Sequence, residues 1–170
     1  MKSLQENDSI MHMELASHTV SAAAFIFKKG RLLLIHNPRK GWETPGGIIE
    51  NGETLIAALK REIQEECGLC VEIQYLSSIT SVVNSSKGYN GVKKILPLII
   101  FDFVCECDQE EVILSEEHDD YCWVEIDQAF KLIRKDLLFR LESSLNKKID
   151  FFGCTKEAET EVFEEIRVGE

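Results

Sequence analysis

The chain has 170 residues, of which 44% are hydrophobic and 29% charged, a composition typical of a globular protein. This length suits one domain with a sizeable core. The formal net charge of −11, with no basic block to offset it, argues against a general nucleic-acid-binding protein. No apolar run reaches the roughly 18 residues of a membrane span, and no signal peptide is recognisable. We therefore expect a cytoplasmic protein that does not bind membranes.

The first predicted elements form a β-hairpin. Residues 1–16 carry no strong period, and we expect a partly disordered N-terminal segment there. Residues 18–28 and 31–36 are rich in β-prone apolar side chains, and Lys29-Gly30 between them makes a turn.

A basic loop and a tryptophan follow the hairpin. Arg39 and Lys40 are candidates for contacts with substrate phosphates, and the alternative is that they are solvated loop charges. Trp42 is a candidate for stacking on a base, and the alternative is that it packs in the core.

The segment 47–69 predicts a loop followed by a helix. Asn51-Gly52 marks a turn, and residues 54–67 contain no Gly or Pro and consist of good helix formers. Gly68 ends this run as a C-cap. The segment therefore predicts a helix of about three to four turns.

The rest of the chain predicts further strands and one long helix. Apolar, β-prone runs predict strands at residues 71–83, 94–107, 112–114 and 121–126, with Pro97 marking a bulge or a strand start. Residues 84–91 predict a polar loop. Asp127 is an N-cap candidate for a helix that extends to Leu141.

These elements predict an α/β protein in which helices flank a mixed central sheet, an α/β/α sandwich. We divide the chain into the N-terminal segment 1–16, one domain over residues 17–150 and an acidic tail over residues 151–170, with a short helix after residue 155. The aromatic pair Phe151-Phe152 and this tail are compatible with an interaction surface or a homodimer.

Carboxylates on the apolar face of the predicted helix are the strongest chemical signal. At about 100° per residue, Glu62 and Glu66 fall inside the stripe that should face the core, and Glu65 lies at its edge. A charge on that face needs a partner. Arg61 and its neighbour Lys60 cannot neutralise all the local carboxylates, and side chains at this spacing suit a hard cation such as Mg²⁺.

Six cysteines allow an alternative zinc site. Cys67, Cys70, Cys105 and Cys107 could be drawn as its ligands. We expect free thiols instead, because disulfides are rare in the cytosol and these residues read as small core or surface side chains.

The same segment resembles a family signature. Residues 47–69 match the box of the Nudix hydrolases, G-x5-E-x7-R-E-U-x-E-E-x-G-U, at every defined position, where U is a bulky aliphatic residue. The flanking pattern extends the resemblance to about residues 18–145. It implies the Nudix fold and a Mg²⁺- or Mn²⁺-dependent hydrolysis of a nucleoside diphosphate linked to another group.

The resemblance also implies roles for individual residues. Glu62, Glu65 and Glu66 would bind the metal, together with the backbone carbonyl of Gly47. Arg61 would orient these carboxylates through bidentate hydrogen bonds. Glu53 would sit at the junction of loop and helix, paired with Arg61 or with a water.

The general base is a separate question. In some members of the family it lies in the box, and in others it is a glutamate of a distant loop. Glu117, six residues before Trp123, is our candidate, with Glu116 second; the alternative is that this loop is acidic and solvated. His118 is interpreted as incidental.

The substrate stays open at this point. Nucleoside di- or triphosphates are preferred, and ADP-ribose, a nucleotide sugar or RNA 5′ ends are the alternatives. A nucleotide-binding sensor without turnover is an alternative of another class, although the intact box argues against it.

Overall fold

The structure, a computed structural model, describes residues 18–84, 96–109, 111–157 and 160–165; for residues 84, 155–157 and 160–165 only the backbone is described. Its strands are β1 Thr19–Lys28, β2 Arg31–Asn37, β3 Gly41–Glu43, β4 Gly46–Ile48, β5 Glu72–Asn84, β6 Leu98–Glu106, β7 Asp120–Val124, β8 Asp150–Glu157 and β9 Thr160–Glu165. Its helices are α1 Leu55–Cys67, α2 Ile126–Leu132 and α3 Leu138–Leu145, with a short 3-10 helix Lys135–Leu137 before α3.

The strands form one mixed sheet in the order β3-β2-β1-β6-β5-β8-β9, with β4 added to β1 and β7 added to β2. The predicted hairpin is present as the antiparallel pair β1–β2. Strand β6 begins directly after Pro97 and lies between β1 and β5, parallel to the first and antiparallel to the second. Its central position agrees with the prediction from its apolar sequence.

Helix α1 begins and ends where the sequence predicts. The Thr54 hydroxyl accepts a hydrogen bond from the Ala57 N–H at 3.2 Å, and Gly68 closes the helix in the left-handed conformation at φ 67°. Leu59 and Ile63 are fully buried. The apolar stripe therefore faces the sheet, and its position fixes the direction of the neighbouring glutamates.

Two apolar layers cover the two faces of the sheet. Alternate residues of β1 point to opposite sides, so that Ala22, Ala24 and Ile26 pack under α1 while Phe25 packs toward α2 and α3. This is the predicted α/β/α sandwich. None of the helices in the described parts of the chain is long and apolar enough to cross a membrane.

Three predictions of local structure are wrong. Residues 112–114 form no strand: the Ile113 N–H bonds to the Cys67 carbonyl at 2.9 Å, and Val112 packs in the core under α1. The single long helix after residue 126 is two helices, and its N-cap is Glu125 rather than Asp127. The break comes at Ile133 and Arg134, which are extended, because the Arg134 N–H bonds to the Trp42 carbonyl at 3.0 Å.

The C-terminal segment also differs from its predicted helix. Residues 150–157 pair in parallel with β5, and residues 160–165 return antiparallel as the last strand. The sheet therefore continues into the acidic tail. The predicted polar loop at residues 84–91 and the predicted N-terminal segment 1–16 lie outside the described residues, except for the backbone of Asn84.

Candidate active site

Strand β4 brings two glycines against the glutamates of α1. The Gly46 N–H donates to Glu66 Oε2 at 2.8 Å. A Cβ atom added to Gly47 would lie 2.3 Å from Glu62 Cδ, and one added to Gly46 would lie 2.4 Å from the Ala22 carbonyl oxygen. Any larger residue at either position would displace these groups. The loop before α1 is therefore shaped to bring backbone polar groups against two carboxylates.

Arg61 organises the outer carboxylates. Its Nε and Nη2 donate to the two oxygens of Glu53 at 2.7 and 2.9 Å, so the predicted pairing of these residues is present. Its Nη1 donates to one oxygen of Glu62 at 2.9 Å and to one of Glu65 at 3.0 Å. The hydrogen bond from Arg61 lowers the pKa of Glu53, and these carboxylates raise the pKa of Arg61. We call these four residues the Arg61 cluster.

Among the described residues, no guanidinium or ammonium group pairs with Glu66. Its side chain is largely buried, and this burial is the main reason why its pKa rises to about 7, although the Gly46 N–H opposes the shift. Glu62, Glu43 and Glu117 raise its pKa further through charge repulsion. We call Glu66, Glu43, Glu117 and His118 the Glu66 cluster.

The loop before β7 closes over this cluster. The Ser115 N–H bonds to the Glu66 carbonyl at 3.2 Å, which ties the loop to the end of α1. His118 is buried, with Nε2 at 3.7 Å from Glu43 Oε1 and 3.9 Å from Glu66 Oε1. Burial lowers the pKa of His118, so the imidazole is neutral at pH 7 and does not compensate the carboxylates.

Glu43 and His118 were not predicted as site residues. Glu43 is held by Arg134, whose Nη1 lies 2.5 Å from Glu43 Oε2, and Arg134 also binds Asp136 with two nitrogens at 3.0 and 2.7 Å. A single acidic residue in a short strand and a histidine in an acidic loop carry no spacing signal. Only the tertiary structure brings them to α1.

An open cleft of about 120 Å³ runs from the Glu66 cluster toward α3. Glu43, Glu66, Glu117 and Lys40 line its outer part. A second depression beside it is lined by Asn37, Pro38, Arg39, Lys40, Glu116 and Glu117. The structure therefore brings the predicted Arg39, Lys40 and Glu117 to one entrance.

Trp42 lies elsewhere. It is partly buried against the apolar layer of α2 and α3, its ring is 5.0 Å from that of His36, and it bridges to Ile133. It is not among the described residues that line the two depressions. These contacts favour the packing alternative over stacking on a base.

The residues fit a hard divalent cation, although the described part of the chain holds no group of three or more His, Cys, Asp or Glu side chains already gathered as a metal site. Arg61 uses one oxygen of Glu62 and one of Glu65, and within the described residues the second oxygen of each has no hydrogen bond. No Lys or Arg side chain in the described parts of the chain pairs with Glu66. Carboxylate oxygens of this kind are the ligands that Mg²⁺ prefers.

The cysteines do not form the alternative zinc site. All six are free thiols, and Cys67, Cys105 and Cys107 are buried in the apolar layer under α1. Burial is the main cause that raises the pKa of Cys67 and of Cys105 to about 12, so neither is a thiolate at neutral pH.

Comparison with known proteins gives the family. The family model for the NUDIX domain matches residues 17–143. The nucleoside triphosphatase NudI of Escherichia coli strain SE11 is 35% identical over 112 residues, which cover 63% of this chain and 75% of that protein. A MutT-like protein of Streptomyces ambofaciens is 28% identical over 131 residues, covering 76% of this chain and 78% of the relative. The chain belongs to the Nudix hydrolase family, and it is a pyrophosphohydrolase by class.

Solved structures agree with the fold. A mutator MutT protein from Bacillus halodurans superposes with a TM-score of 0.67 at 21% identity, over 87% of this chain and 94% of that one. A MutT NUDIX hydrolase from Burkholderia pseudomallei gives a TM-score of 0.60 at 24% identity, over 75% of this chain and 98% of that one. At these identities the likeness concerns the fold alone.

Proposed function

We propose that this protein is a Mg²⁺- or Mn²⁺-dependent hydrolase that cleaves a pyrophosphate bond in a nucleoside di- or triphosphate. One observation carries the proposal: a largely buried, uncompensated glutamate, Glu66, lies with Glu43 and Glu117 at one end of a cleft whose entrance holds Arg39 and Lys40. A cation between these carboxylates and a polyanionic substrate would stabilise both. The likeness to a nucleoside triphosphatase supports this substrate class.

The chain's own residues divide the work of the reaction. Glu62, Glu65 and Glu66, with the Gly47 carbonyl, would hold the cation. When bound, it would neutralise charge on the pyrophosphate oxygens and activate a coordinated water. Arg61 keeps Glu62 and Glu65 in place through two hydrogen bonds, and Glu53 fixes Arg61 in turn.

The reaction needs a proton acceptor and a phosphate anchor. Water attacks one phosphorus, the bridging P–O bond breaks, and the leaving phosphate oxygen takes a proton. Glu117 lines both depressions beside Glu66, which supports it as the acceptor of the proton of the attacking water. Lys40 lies 3.9 Å from Glu43 and Arg39 lines the entrance, where both can contact phosphate oxygens.

The deciding experiment is a release assay for phosphate and pyrophosphate with Mg²⁺ or Mn²⁺. The panel holds nucleoside triphosphates and diphosphates, ADP-ribose, nucleotide sugars and triphosphorylated RNA. We expect metal-dependent turnover of nucleoside triphosphates, abolished in Glu66→Gln and retained in the control Glu142→Gln, whose side chain is exposed on α3. Turnover of ADP-ribose or RNA alone would contradict the substrate class. Silence across the panel, with tight nucleotide binding, would favour a sensor.

A further inference from the structure

The sheet face on the α1 side continues beyond the strands that α1 covers. Helix α1 lies over β1 and β4, whereas β5 and β8 lie further along the sheet. In the register of the strands, Phe151 lies beside Ile79, and Ile79 lies beside Phe101. Phe101 in turn lies beside Ala22, which packs under α1. Because neighbouring residues in a register point to the same side, Ile79 and Phe151 extend this face onto β5 and β8.

The apolar side chains of this extension belong to neither of the two apolar layers. Val83, which alternates with Ile79 on β5, is 50% exposed, and Phe151 is 39% exposed. Ile79 and Ile99 are partly buried, yet neither is among the described residues that pack in or against the two layers. Ser81, which lies between Ile79 and Val83 on the same side, carries no charge. We call Ile79, Val83, Ile99 and Phe151 the open face.

The size of the open face decides what can cover it. Strands β6, β5 and β8 are together about 14 Å wide, and residues 79–83 extend about 16 Å along them. The product, about 200 Å², is a quarter of the roughly 800 Å² that each partner buries in a standard protein–protein interface. One extended segment of six or seven residues, about 20 Å long, covers an area of this size. The open face therefore fits a single segment of chain better than a second folded copy.

The N-terminal segment joins the sheet at the end where the open face lies. Residues 1–17 lie outside the described part of the chain, and β1 begins at Thr19. Thr19 pairs with Leu98, which pairs with the residue before Val83. Phe151 is three strands away, about 14 Å, and three residues further along, about 10 Å. Six extended residues span about 20 Å, so the segment before Thr19 is long enough to reach the whole open face.

The sequence of this segment has the pattern that an apolar sheet face requires. Met11, Met13 and Leu15 alternate with polar residues, which is the period of a strand with one apolar side. Methionine side chains adapt to irregular apolar surfaces. Residues 85–95, which also lie outside the described part of the chain, contain three lysines and two glycines, a composition that suits a solvated loop. The N-terminal segment is therefore the better match.

We propose that residues 10–16 of the same chain lie extended on the open face and place their three alternating apolar side chains against it. The sequence alone predicts partial disorder for residues 1–16, and the open face supplies a partner surface for the last seven of them. This docking removes apolar surface from water and so stabilises the fold. It goes beyond the proposed function, because both carboxylate clusters lie beside β1, β4 and α1 rather than beside β5 and β8.

The methionines of the chain provide a direct test. All three, Met1, Met11 and Met13, lie within residues 1–17, so labelling methionine methyl groups with ¹³C reports on this segment alone in the full chain. The Met11 and Met13 signals should be displaced from their positions in urea. Phe151→Leu should remove most of this displacement, because the aromatic ring causes it. Phe130→Leu, at a phenylalanine of α2 with similar exposure, is the matched control and should leave the signals unchanged.

Thermal unfolding tests the same contact by its coupling. Val83→Glu places a charge on the open face, and Met13→Gln weakens the segment; each should lower Tm by about 3 °C. Together they should lower Tm little more than either alone, because both remove one contact. Leu132→Glu, at an exposed position of α2, is the control and should combine additively with Met13→Gln.

Each contrary outcome has a distinct meaning. Methionine signals at their urea positions in the folded chain overturn the inference, and so do displaced signals that Phe151→Leu leaves unchanged. Additive effects of Val83→Glu and Met13→Gln also overturn it. A doubled mass in light scattering that returns to one chain in Phe151→Leu would show that a second copy covers the open face instead. The release assay judges the hydrolase independently of all these results.

Discussion

The Arg61 cluster and the Glu66 cluster both include glutamates of α1, but they differ in how the negative charge of their carboxylates is compensated. In the first, one guanidinium binds three carboxylates with distances of 2.7 to 3.0 Å. In the second, Glu66 lies with Glu43 and Glu117, its pKa is raised to about 7, and the neighbouring His118 is held neutral. In the first cluster each carboxylate has a cationic partner within the chain, and Glu62 and Glu65 each keep one oxygen for the proposed cation. In the second, no described Lys or Arg pairs with Glu66, so we expect a bound cation to supply the positive charge.

The sharpest way to test the contrast is to remove the uncompensated charge. Glu66→Gln keeps the size of the side chain and can still accept the Gly46 N–H. We expect kcat to fall about a thousandfold and Mg²⁺ binding to weaken, with the fold retained. Turnover and metal titration against Glu142→Gln check this, and kinetics equal to those of the wild type would take Glu66 out of the metal site.

The second substitution addresses the proton acceptor within the Glu66 cluster. Glu117→Gln should lower kcat about a hundredfold while Mg²⁺ affinity changes little, because general-base catalysis contributes on this scale. Glu116→Gln is the matched control, as its side chain lines only the outer depression. A rate unchanged in Glu117→Gln would return the base to one of the glutamates of α1.

The third substitution breaks the Arg61 cluster without removing its charge. Arg61→Lys retains a cation but cannot donate to Glu53, Glu62 and Glu65 together, because an ammonium group lacks the planar fork of a guanidinium. We expect kcat to fall about tenfold and the Mg²⁺ concentration for half-maximal rate to rise. Lys60→Arg, at the exposed neighbouring position, is the control. If Arg61→Lys matched the wild type, charge alone would matter in this cluster.

Competition between protons and Mg²⁺ for the Glu66 carboxylate gives a further test of the difference between the clusters. The pKa of Glu66 is raised from 4.5 to about 7. Between pH 4.5 and pH 7 the folded chain therefore binds more protons than the unfolded chain. Without metal, the free energy of unfolding should therefore decrease as pH rises from 5 to 8 on account of this group. Mg²⁺ binding needs the ionised carboxylate, so its apparent affinity should rise about tenfold between pH 6 and 8.

Thermal unfolding at pH 6 and pH 8, with and without Mg²⁺, measures this coupling. The increase in Tm on adding Mg²⁺ should be larger at pH 8. Glu66→Gln should abolish the difference between the two pH values. An increase that is the same at both pH values in the wild type would contradict the raised pKa of Glu66 or its role as a metal ligand.

The two clusters were not equally visible in the sequence. The Arg61 cluster, together with Glu66 itself, lies within 14 residues of one loop and helix, and helical periodicity alone places Glu62 and Glu66 on the buried face. Glu43, His118 and Arg134 come from three distant segments that meet only through the pairing of β2 with β3 and β7 and through the break before α3. Local patterns carry no information on such contacts.

Fold predictions failed for the same physical reason. Residues 126–141 have the apolar spacing of one helix, yet a tertiary hydrogen bond from Arg134 to Trp42 breaks it. The acidic sequence after residue 155 has the composition of an exposed helix. In the structure, however, β8 pairs with the edge of β5, and β9 pairs with β8. Edge pairing of this kind depends on which strand is unpaired, and that is a property of the assembled sheet.

Removing the last C-terminal strand is the change for which we expect the smallest effect on catalysis. Strand β9 is three positions from β6 in the sheet, whereas both clusters lie beside β1, β4 and α1. Ending the chain after residue 157 removes β9 and exposes the edge of β8. We expect kcat and KM to change less than about twofold, and Tm to fall because the outer strand loses its partner. Steady-state kinetics and scanning calorimetry on the shortened chain check both. A folded but inactive chain would show that β9 helps to build the site through β8 and β5.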